Sequence, residues 1–236
     1  MLNNAPLNIA IITARGGSKR IPEKNTRIFI DKPIIAYSIK AAIDSRQFKV
    51  VMVSTDDLKI AEIANSYGAE VPFLRSAKTS DDYATTVDVI WEVVNKYIDK
   101  GEFFSNICCI YPTAPFVSPA KLIKAMELLE ESGADSVIPI VRFSYPPQRA
   151  IIVSNGKLSM QYPEQVKTRS QDLEEIYHDC GQFYCMKTES FLKNHSILTK
   201  NTIPFIVPES EVQDIDTEED WSLAEMKYLR LNREKL

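Results

Sequence analysis

One short segment near the start of the chain concentrates cations and glycines. Residues 14–25 read ARGGSKRIPEKN and contain four cations and two adjacent glycines, namely Arg15, Lys19, Arg20, Lys24, Gly16 and Gly17. Glycine lets backbone N–H groups approach a phosphate, the Ser18 hydroxyl can donate a hydrogen bond, and the cations can neutralise a polyanion. The segment matches neither the Walker phosphate loop nor the dinucleotide fingerprint. It predicts a phosphate site of another kind, and the alternative is a solvated basic loop.

A pair of carboxylates near the other end of the chain could hold a divalent cation. Asp214 and Asp216 lie two positions apart in the segment QDIDTEED. Residues i and i+2 of an extended segment share a face, so both carboxylates can meet one ion. Oxygen ligands suit Mg²⁺, which commonly takes one or two carboxylates together with phosphate oxygens. The alternative is an acidic run that caps the last helix, together with the acidic residues at 218–220.

The elements that must position these residues alternate between strands and helices. Apolar and β-branched runs predict strands at residues 9–13, 50–55, 71–74, 107–111, 136–141, 182–186 and 205–207. Helical spacing and end signals predict helices at residues 34–45, 58–67, 86–100, 119–132 and 218–236, with Gly68 and Gly133 ending two of them and Thr217 capping the last. This order is typical of βαβ units. We therefore expect an α/β fold with a mostly parallel, doubly wound, Rossmann-like sheet.

The carboxyl edge of that sheet is where a ligand is expected. In doubly wound sheets, ligands bind beyond the carboxyl ends of the strands. The loops that follow Thr13, Thr55, Tyr111 and Val207 should therefore build the site. The cationic segment at residues 14–25 begins at the first of these loops.

The alternation is interrupted between about residues 142 and 177. Asn155-Gly156 separates two short apolar segments, at 150–153 and 157–160, and this pattern predicts a β-hairpin. So small a unit is rarely stable alone. It either packs back on the parent domain or forms an arm that pairs with a second subunit. We expect the arm and a homodimer, within a single domain that spans residues 1–236.

The composition excludes several classes of protein. Of 236 residues, 44% are hydrophobic and 25% are charged, which disfavours disorder. A net charge of −4 argues against nucleic-acid binding. We expect no signal peptide, and no apolar run approaches the roughly 18 residues that span a membrane. The four cysteines form no C-x-x-C unit that would indicate zinc, so we expect buried thiols in a reducing cytoplasm.

Four segments together resemble those of one enzyme family. Residues 14–25 resemble the signature loop of CMP-sugar synthetases, which activate sialic acids and related nonulosonic acids, and QDIDTEED resembles that family's metal-binding D-I-D segment. YPTAPF at residues 111–116 resembles its strand-end loop, and HDCGQFY at residues 178–184 resembles its sugar-side segment. The four matches follow the family's order over nearly the whole chain.

The resemblance implies a cytidylyltransferase that transfers CMP from CTP to an acidic sugar and releases pyrophosphate. It implies catalytic roles for Arg15, Lys24, Asp214 and Asp216, with both aspartates holding Mg²⁺ as the cofactor. Asn25 would reach the ribose, and Arg75 would lie beside the cytosine. The full set of implied nucleotide-binding residues is Ala14, Arg15, Gly16, Gly17, Ser18, Lys19, Lys24, Asn25 and Arg75.

The acceptor side of the resemblance comprises Tyr111, Thr113, His178 and Gln182. Tyr111 stands where sialic acid enzymes usually carry glutamine, and Arg20 stands where the commonest family loop has glycine. With the His-Asp-Cys-Gly segment, these departures resemble the branch that acts on pseudaminic acid, which is the expected acceptor. Sialic acid, legionaminic acid and Kdo remain alternatives, and so does a non-catalytic nucleotide-sugar binding protein.

His178 has three interpretations. It could act as the general base for the sugar hydroxyl, form a wall of the sugar pocket, or be an ordinary structural histidine. The sequence does not separate them.

Overall fold

A seven-stranded sheet forms the centre of the computed structural model, which describes residues 7–233. The strands of this sheet are β1 (Asn8–Thr13), β4 (Val50–Ser54), β5 (Asn106–Ile110), β6 (Ser136–Arg142), β9 (Tyr177–Asp179), β10 (Phe183–Lys187) and β11 (Thr202–Ile206). Two small hairpins contain the other strands, β2 (Ile28–Phe29) with β3 (Lys32–Pro33), and β7 (Ile151–Ser154) with β8 (Lys157–Met160). The helices are α1 (Ile34–Ser45), α2 (Leu58–Ser66), α3 (Thr86–Ile98), α4 (Pro119–Ser132), α5 (Thr188–Asn194) and α6 (Glu218–Leu231).

The sheet is mostly parallel, as the alternation of elements predicts. Its order is β11-β6-β10-β5-β1-β4, and β9 also pairs with β6. β1 runs parallel to β4 and β5, and β11 runs parallel to β6. β10 lies between β5 and β6 and is antiparallel to both. The fold is therefore the expected mixed α/β type, with β10 reversed in the middle of the sheet and β9 antiparallel to β6.

Helices cover both faces of the sheet, and β1 shows how. Ala10 and Ile12 pack with α1, α2 and α4, whereas Ile9 and Ile11 pack with α3 and α5 on the other face. Residues 9–12 have no exposed surface. A strand buried on both sides needs apolar residues at every position, which explains the continuous apolar run in this part of the sequence. The four cysteines are buried free thiols, as expected.

Local signals set the helix ends. Thr85 and Asp88 form a capping box at the start of α3, and Thr217 and Asp220 form another at the start of α6. Gly133 ends α4 in the left-handed conformation at φ 69°. Each device satisfies backbone groups that have no partner within the helix. The start of α3 matters most for function because it borders the cleft described below.

The sequence predictions were wrong at residues 71–74. No strand forms there, and pairing in this region is limited to a single bridge between Met52 and Glu70. Pro72 has no N–H to donate to a ladder, so the segment turns away after one bridge. The predicted last helix ends at Leu231, before the predicted bound of 236, and residues 234–236 lie outside the described part.

The predicted hairpin forms β7 and β8. Asn155 and Gly156 connect the strands at φ 50° and 73°, the left-handed pair that a tight two-residue turn requires. Both strands are exposed along nearly their whole length, and Val153 and Leu158 are 70% and 73% exposed. The apolar side chains of this hairpin are therefore not covered by the rest of the described chain.

Candidate active site

A cleft of about 430 Å³ opens at the carboxyl edge of β1 and β5. Its walls come from the loop after β1, from Arg75, from the start of α3 and from the loop after β5. The lining residues are Thr13, Arg15, Ser18, Lys19, Arg20, Ile21, Lys24, Asn25, Arg75, Ala84, Thr85, Thr86, Val89, Tyr111, Pro112 and Thr113. The cleft thus collects most of the cationic segment and the Tyr111 loop at the edge where a ligand was expected.

The loop after β1 is held by backbone contacts. The Ala14 N–H donates to the carbonyl of Ser54 at 3.0 Å, and the Asn25 side chain donates to the carbonyl of Arg15 at 2.8 Å. Gly16 has a packing role, since a Cβ atom there would lie 2.8 Å from a carboxylate oxygen of Asp57. Its N–H already donates to Asp56 at 2.9 Å, whereas Gly17 is exposed. Phosphate contacts in this loop thus depend more on its side chains than on the N–H of Gly16.

The cations of the loop are held by two different carboxylates. Asp82 accepts from Arg15 at 2.9 Å and also contacts Lys19. Asp216 contacts Arg20 at 2.7 Å and lies 3.6 Å from Lys24. Because these carboxylates pair with cations that line the cleft, an incoming polyanion would compete with Asp82, and a metal ion would compete with the cations at Asp216.

Asp214 and Asp216 border the cleft without lining it. The Lys24 ammonium, which does line it, donates to the carbonyl of Ile215, between the two aspartates, at 2.5 Å. Burial raises the pKa of Asp214, and the neighbouring charge of Asp216 raises it further. A carboxylate whose pKa is raised by burial and by a second carboxylate fits a site for a dication. No cluster of three or more candidate metal-ligating side chains occurs within residues 7–233, so phosphate or water oxygens would have to complete the coordination.

Arg75 forms a buried wall of the cleft. It is 8% exposed, and its guanidinium donates to the Ser54 hydroxyl at 3.1 Å and to the Ser54 carbonyl at 2.6 Å. Burial lowers the pKa of Arg75, while the nearby Asp56 and Glu92 charges oppose that shift. The side chain is fixed before any ligand binds.

Tyr111 lines the cleft just beyond the carboxyl end of β5. Its backbone N–H donates to the carbonyl of Gln182 at 2.9 Å, and its own carbonyl accepts from Ser38 at 2.8 Å. Its hydroxyl is 3.1 Å from that of Thr86. Thr113 lines the same end of the cleft. This region offers one phenol, two threonine hydroxyls and an aromatic face.

Two predicted acceptor residues are not in this cleft. Gln182 is 2% exposed, and its amide donates to the carbonyl of Glu211 at 2.7 Å, which ties β10 to the segment before the two aspartates. His178 is exposed on β9, with its ring 4.6 Å from that of Phe143. Neither side chain contributes to the cleft lining within this chain.

Sequence reasoning missed Asp82, Thr85 and Thr86. The polar run before the helix predicted at residues 86–100 was treated as a connecting loop, yet Thr85 and Thr86 line the cleft and Asp82 pairs with Arg15, which also lines it. The sequence did contain a signal for their role, because this loop joins Arg75, a predicted nucleotide-binding residue, to the start of α3. The contact between Asp82 and Arg15 joins residues 67 positions apart, which no local pattern reveals.

A doubly wound sheet with a cation-lined cleft at its carboxyl edge is typical of nucleotide-binding proteins. Comparison with known proteins makes the class specific. The cytidylyltransferase family profile matches residues 9–225, and the chain belongs to this family.

Relatives match nearly the whole chain. The chain is 38% identical to the pseudaminic acid cytidylyltransferase of Campylobacter jejuni over 96% of its own length and 98% of that protein. It is 36% identical to the CMP-N,N'-diacetyllegionaminic acid synthase of Legionella pneumophila, over 97% of this chain and 98% of the relative.

Solved structures share the fold. A CMP:2-keto-3-deoxy-manno-octonic acid synthetase complexed with CTP superposes with a TM-score of 0.69 at 17% identity, over 96% of this chain and 99% of that one. Within residues 7–233, no helix has the length and apolar character needed to cross a membrane.

Proposed function

We propose that this protein transfers CMP from CTP to the anomeric hydroxyl of pseudaminic acid and releases pyrophosphate. The observation that carries the proposal is the single cleft in which the cations of the loop after β1 and the Tyr111 loop face each other. The relative from Campylobacter jejuni, which carries this activity in its name, supports the choice of acceptor.

Arg15, Lys19 and Lys24 are assigned to the triphosphate. The reaction needs alignment of the acceptor with the α-phosphorus and neutralisation of charge on the departing pyrophosphate, which fixed cations can provide. Arg75 is assigned to the cytosine end because its guanidinium is already immobile. Asn25 lines the cleft and is assigned to the ribose. No side-chain nucleophile is required.

Asp214 and Asp216 are assigned as the residues that would hold Mg²⁺. Their oxygen donors suit this ion, and its positive charge would offset the burial and the neighbouring charge that raise the pKa of Asp214. When bound, the ion supplies positive charge that polarises a phosphate oxygen. Lys24, which contacts the backbone between the two aspartates, links this pair to the triphosphate site.

The acceptor is assigned to the Tyr111 end of the cleft. Pseudaminic acid differs from sialic acid in carrying a second acylated nitrogen and a terminal methyl group, so it presents a less polar surface. A phenol offers one hydroxyl and a broad apolar face, whereas the amide usual in sialic acid enzymes offers two donors and an acceptor. Tyr111 should therefore favour the less polar sugar.

The exposed hairpin is assigned to a homodimer contact. Its apolar side chains on β7 and β8 are uncovered in the single chain, and a second copy of the same chain can bury them. We place the reaction in the cytoplasm, where CTP is available.

One assay tests the proposal. The protein is incubated with CTP, Mg²⁺ and, separately, pseudaminic, legionaminic, sialic and Kdo acids, and pyrophosphate release is measured with and without EDTA. The highest kcat/KM is expected for pseudaminic acid, with activity lost in EDTA. Preferential use of another acid would refute the acceptor, and no pyrophosphate with any acid would refute CMP transfer itself.

A further inference from the structure

A chain of side-chain contacts, two of them hydrogen bonds and one between aromatic rings, runs from the cleft to a carboxylate outside it. The Tyr111 hydroxyl at the cleft lies 3.1 Å from Thr86, and the Tyr111 ring meets the Tyr184 ring edge to face at 5.5 Å between centroids. The Tyr184 hydroxyl donates to Asp179 at 2.8 Å. Neither Tyr184 nor Asp179 lines the cleft. The mechanism proposed above uses neither residue.

The direction of these contacts is fixed by chemistry. Tyr184 is 6% exposed, and burial first, then the charges of its neighbours Tyr111 and Asp179, raise its pKa, so it stays protonated. A phenol has one proton, and that of Tyr184 is directed to the Asp179 carboxylate. The Tyr184 hydroxyl is therefore committed to Asp179, and Tyr184 contacts Tyr111 through its ring.

Asp179 is held in place by the turn that follows β9. Its second carboxylate oxygen accepts from the Gly181 N–H at 2.7 Å. Gly181 has φ 61°, a conformation that glycine adopts without strain. A Cβ atom on Gly181 would lie 4.0 Å from the Tyr111 ring, so the same turn also packs against that ring. The turn therefore holds Asp179 and contacts Tyr111 at once.

The backbone of Tyr111 is already immobilised through Gln182 and Ser38, which leaves the orientation of its ring and hydroxyl to be decided. Tyr184 and Thr86 contact that ring and hydroxyl from outside the triphosphate region. A change at Asp179 would thus reach the acceptor end of the cleft without altering any cation of the loop after β1.

We propose that Asp179 and Tyr184 are positioning residues that orient the Tyr111 phenol against the acceptor sugar and so set acceptor selectivity. The inference rests on the proposed function, because it requires that the acceptor contact Tyr111. It concerns residues that do not touch the sugar themselves.

A double-mutant cycle tests this proposal. Tyr184→Phe removes one oxygen and keeps the ring, Asp179→Ala removes the carboxylate, and each is also combined with Tyr111→Phe. Each single variant should raise the KM for pseudaminic acid about threefold to tenfold, the usual effect of losing one net hydrogen bond, with the KM for CTP unchanged. In the Tyr111→Phe background, the second change should have a smaller effect than in the wild type, because the Tyr111 hydroxyl that it orients is gone. Asp179→Asn keeps an acceptor oxygen for Tyr184 and should restore most of the loss.

Controls separate positioning from a structural role. Asp172→Ala removes an exposed carboxylate that pairs with Arg169 at 2.7 Å, a few residues before β9, and it should leave both KM values unchanged. The Kd for CTP, measured by calorimetry, should also be unchanged in Tyr184→Phe. The proposal would be overturned if the increases in KM for pseudaminic acid were additive in the double variants. It would also be overturned if CTP binding were weakened as much as the KM for the acceptor is raised. A wild-type protein that binds CTP but uses no nonulosonic acid would instead refute the proposed function.

Discussion

Replacement of Asp82 by asparagine should strengthen CTP binding. Asp82 pairs with Arg15 at 2.9 Å and contacts Lys19 through its other oxygen. Both cations are assigned to the triphosphate, and a cation cannot give the same N–H groups to a carboxylate and to a phosphate. In the free protein, Asp82 therefore occupies the place of a phosphate, and CTP must displace it.

The size of the effect follows from the exposure of the three side chains. Arg15, Lys19 and Asp82 are 39%, 75% and 45% exposed, so solvent screens both ion pairs strongly. Exposed pairs are individually weak, and the loss of two of them should tighten CTP binding by roughly twofold to tenfold. The gain should shrink at high salt because screening weakens the competition that Asp82 offers.

Calorimetric titration with CTP and Mg²⁺, without acceptor, measures this directly. Hydrogen bonds from Lys19 first and Arg15 second lower the pKa of Asp82 below its ordinary value of 3.8, so the carboxylate stays ionised at neutral pH. The gain in CTP affinity of Asp82→Asn over the wild type should therefore be constant between about pH 6 and 8. Asp172→Asn removes the same charge from a distant pair with Arg169 and is the matched control. Weaker CTP binding in Asp82→Asn, or an equal gain in the control, would refute the reasoning.

Four further outcomes are expected. Asp216→Asn should lower kcat roughly a hundredfold with an unchanged melting temperature, since a charge leaves a polar segment and no core is disturbed; full activity in saturating Mg²⁺ would contradict the metal assignment. Val153→Asp should convert the proposed homodimer into a monomer, as measured by light scattering. A wild-type protein that is monomeric at micromolar concentration would refute the proposed homodimer. Tyr111→Gln should lower the ratio of kcat/KM for pseudaminic acid to kcat/KM for sialic acid. An unchanged ratio would show that Tyr111 does not determine acceptor selectivity. Burial disfavours the ionised form of Glu92, but hydrogen bonds from Lys96, Thr79 and Ser76 outweigh burial and hold the pKa of Glu92 at about 2, below the ordinary 4.5. The contribution of ionised Glu92 to the free energy of unfolding is thus present above pH 4.5 and lost as the pH falls toward 2. Glu92→Gln should therefore lower the free energy of unfolding by about 1–3 kcal/mol at pH 7, and in urea titrations this free energy should fall less steeply with acid than in the wild type. An equally steep fall in both proteins would exclude this role.

The elements with strong local signals were predictable from the sequence. The helix at Pro119–Ser132 was predicted with the observed bounds because a proline begins it and Gly133 ends it in the left-handed conformation. The helix at Ile34–Ser45 was predicted equally well from the spacing of its apolar residues. In both, the sequence within a few residues determines the structure, so a local pattern is sufficient.

Elements that depend on distant partners were harder to predict. Residues 71–74 have the apolar composition of a strand, but Pro72 cannot donate to a ladder, and the segment turns away after Glu70. The sequence located β10 to within a residue but gave no indication of its direction, because the choice between parallel and antiparallel pairing is made by strands far along the chain. Local composition does not contain that information.

The site residues also divide into those that local sequence predicts and those that depend on distant packing. The cationic segment and the Tyr111 loop were predicted to meet at one edge of the sheet, and they do line one cleft. Gln182 lies in a matching motif, yet its side chain turns into the interior to hold Glu211. A motif identifies a position along the chain, whereas the direction of the side chain depends on how the turn at residues 180–182 is packed.

The reversed strand β10 has a consequence for how the protein is made. Within the described chain, β10 alone connects the half-sheet of β4, β1 and β5 to the half-sheet of β6 and β11. Its partner on β5 is far away in sequence, since Cys185 lies opposite Cys108, 77 residues earlier. Contacts of such long range form slowly because the intervening loop must first be closed. During synthesis, β1, β4 and β5 can assemble early, but the edge of β5 stays unpaired until residues 183–187 have left the ribosome. Over that interval the growing chain exposes an apolar strand edge, which is a surface where aggregation can begin.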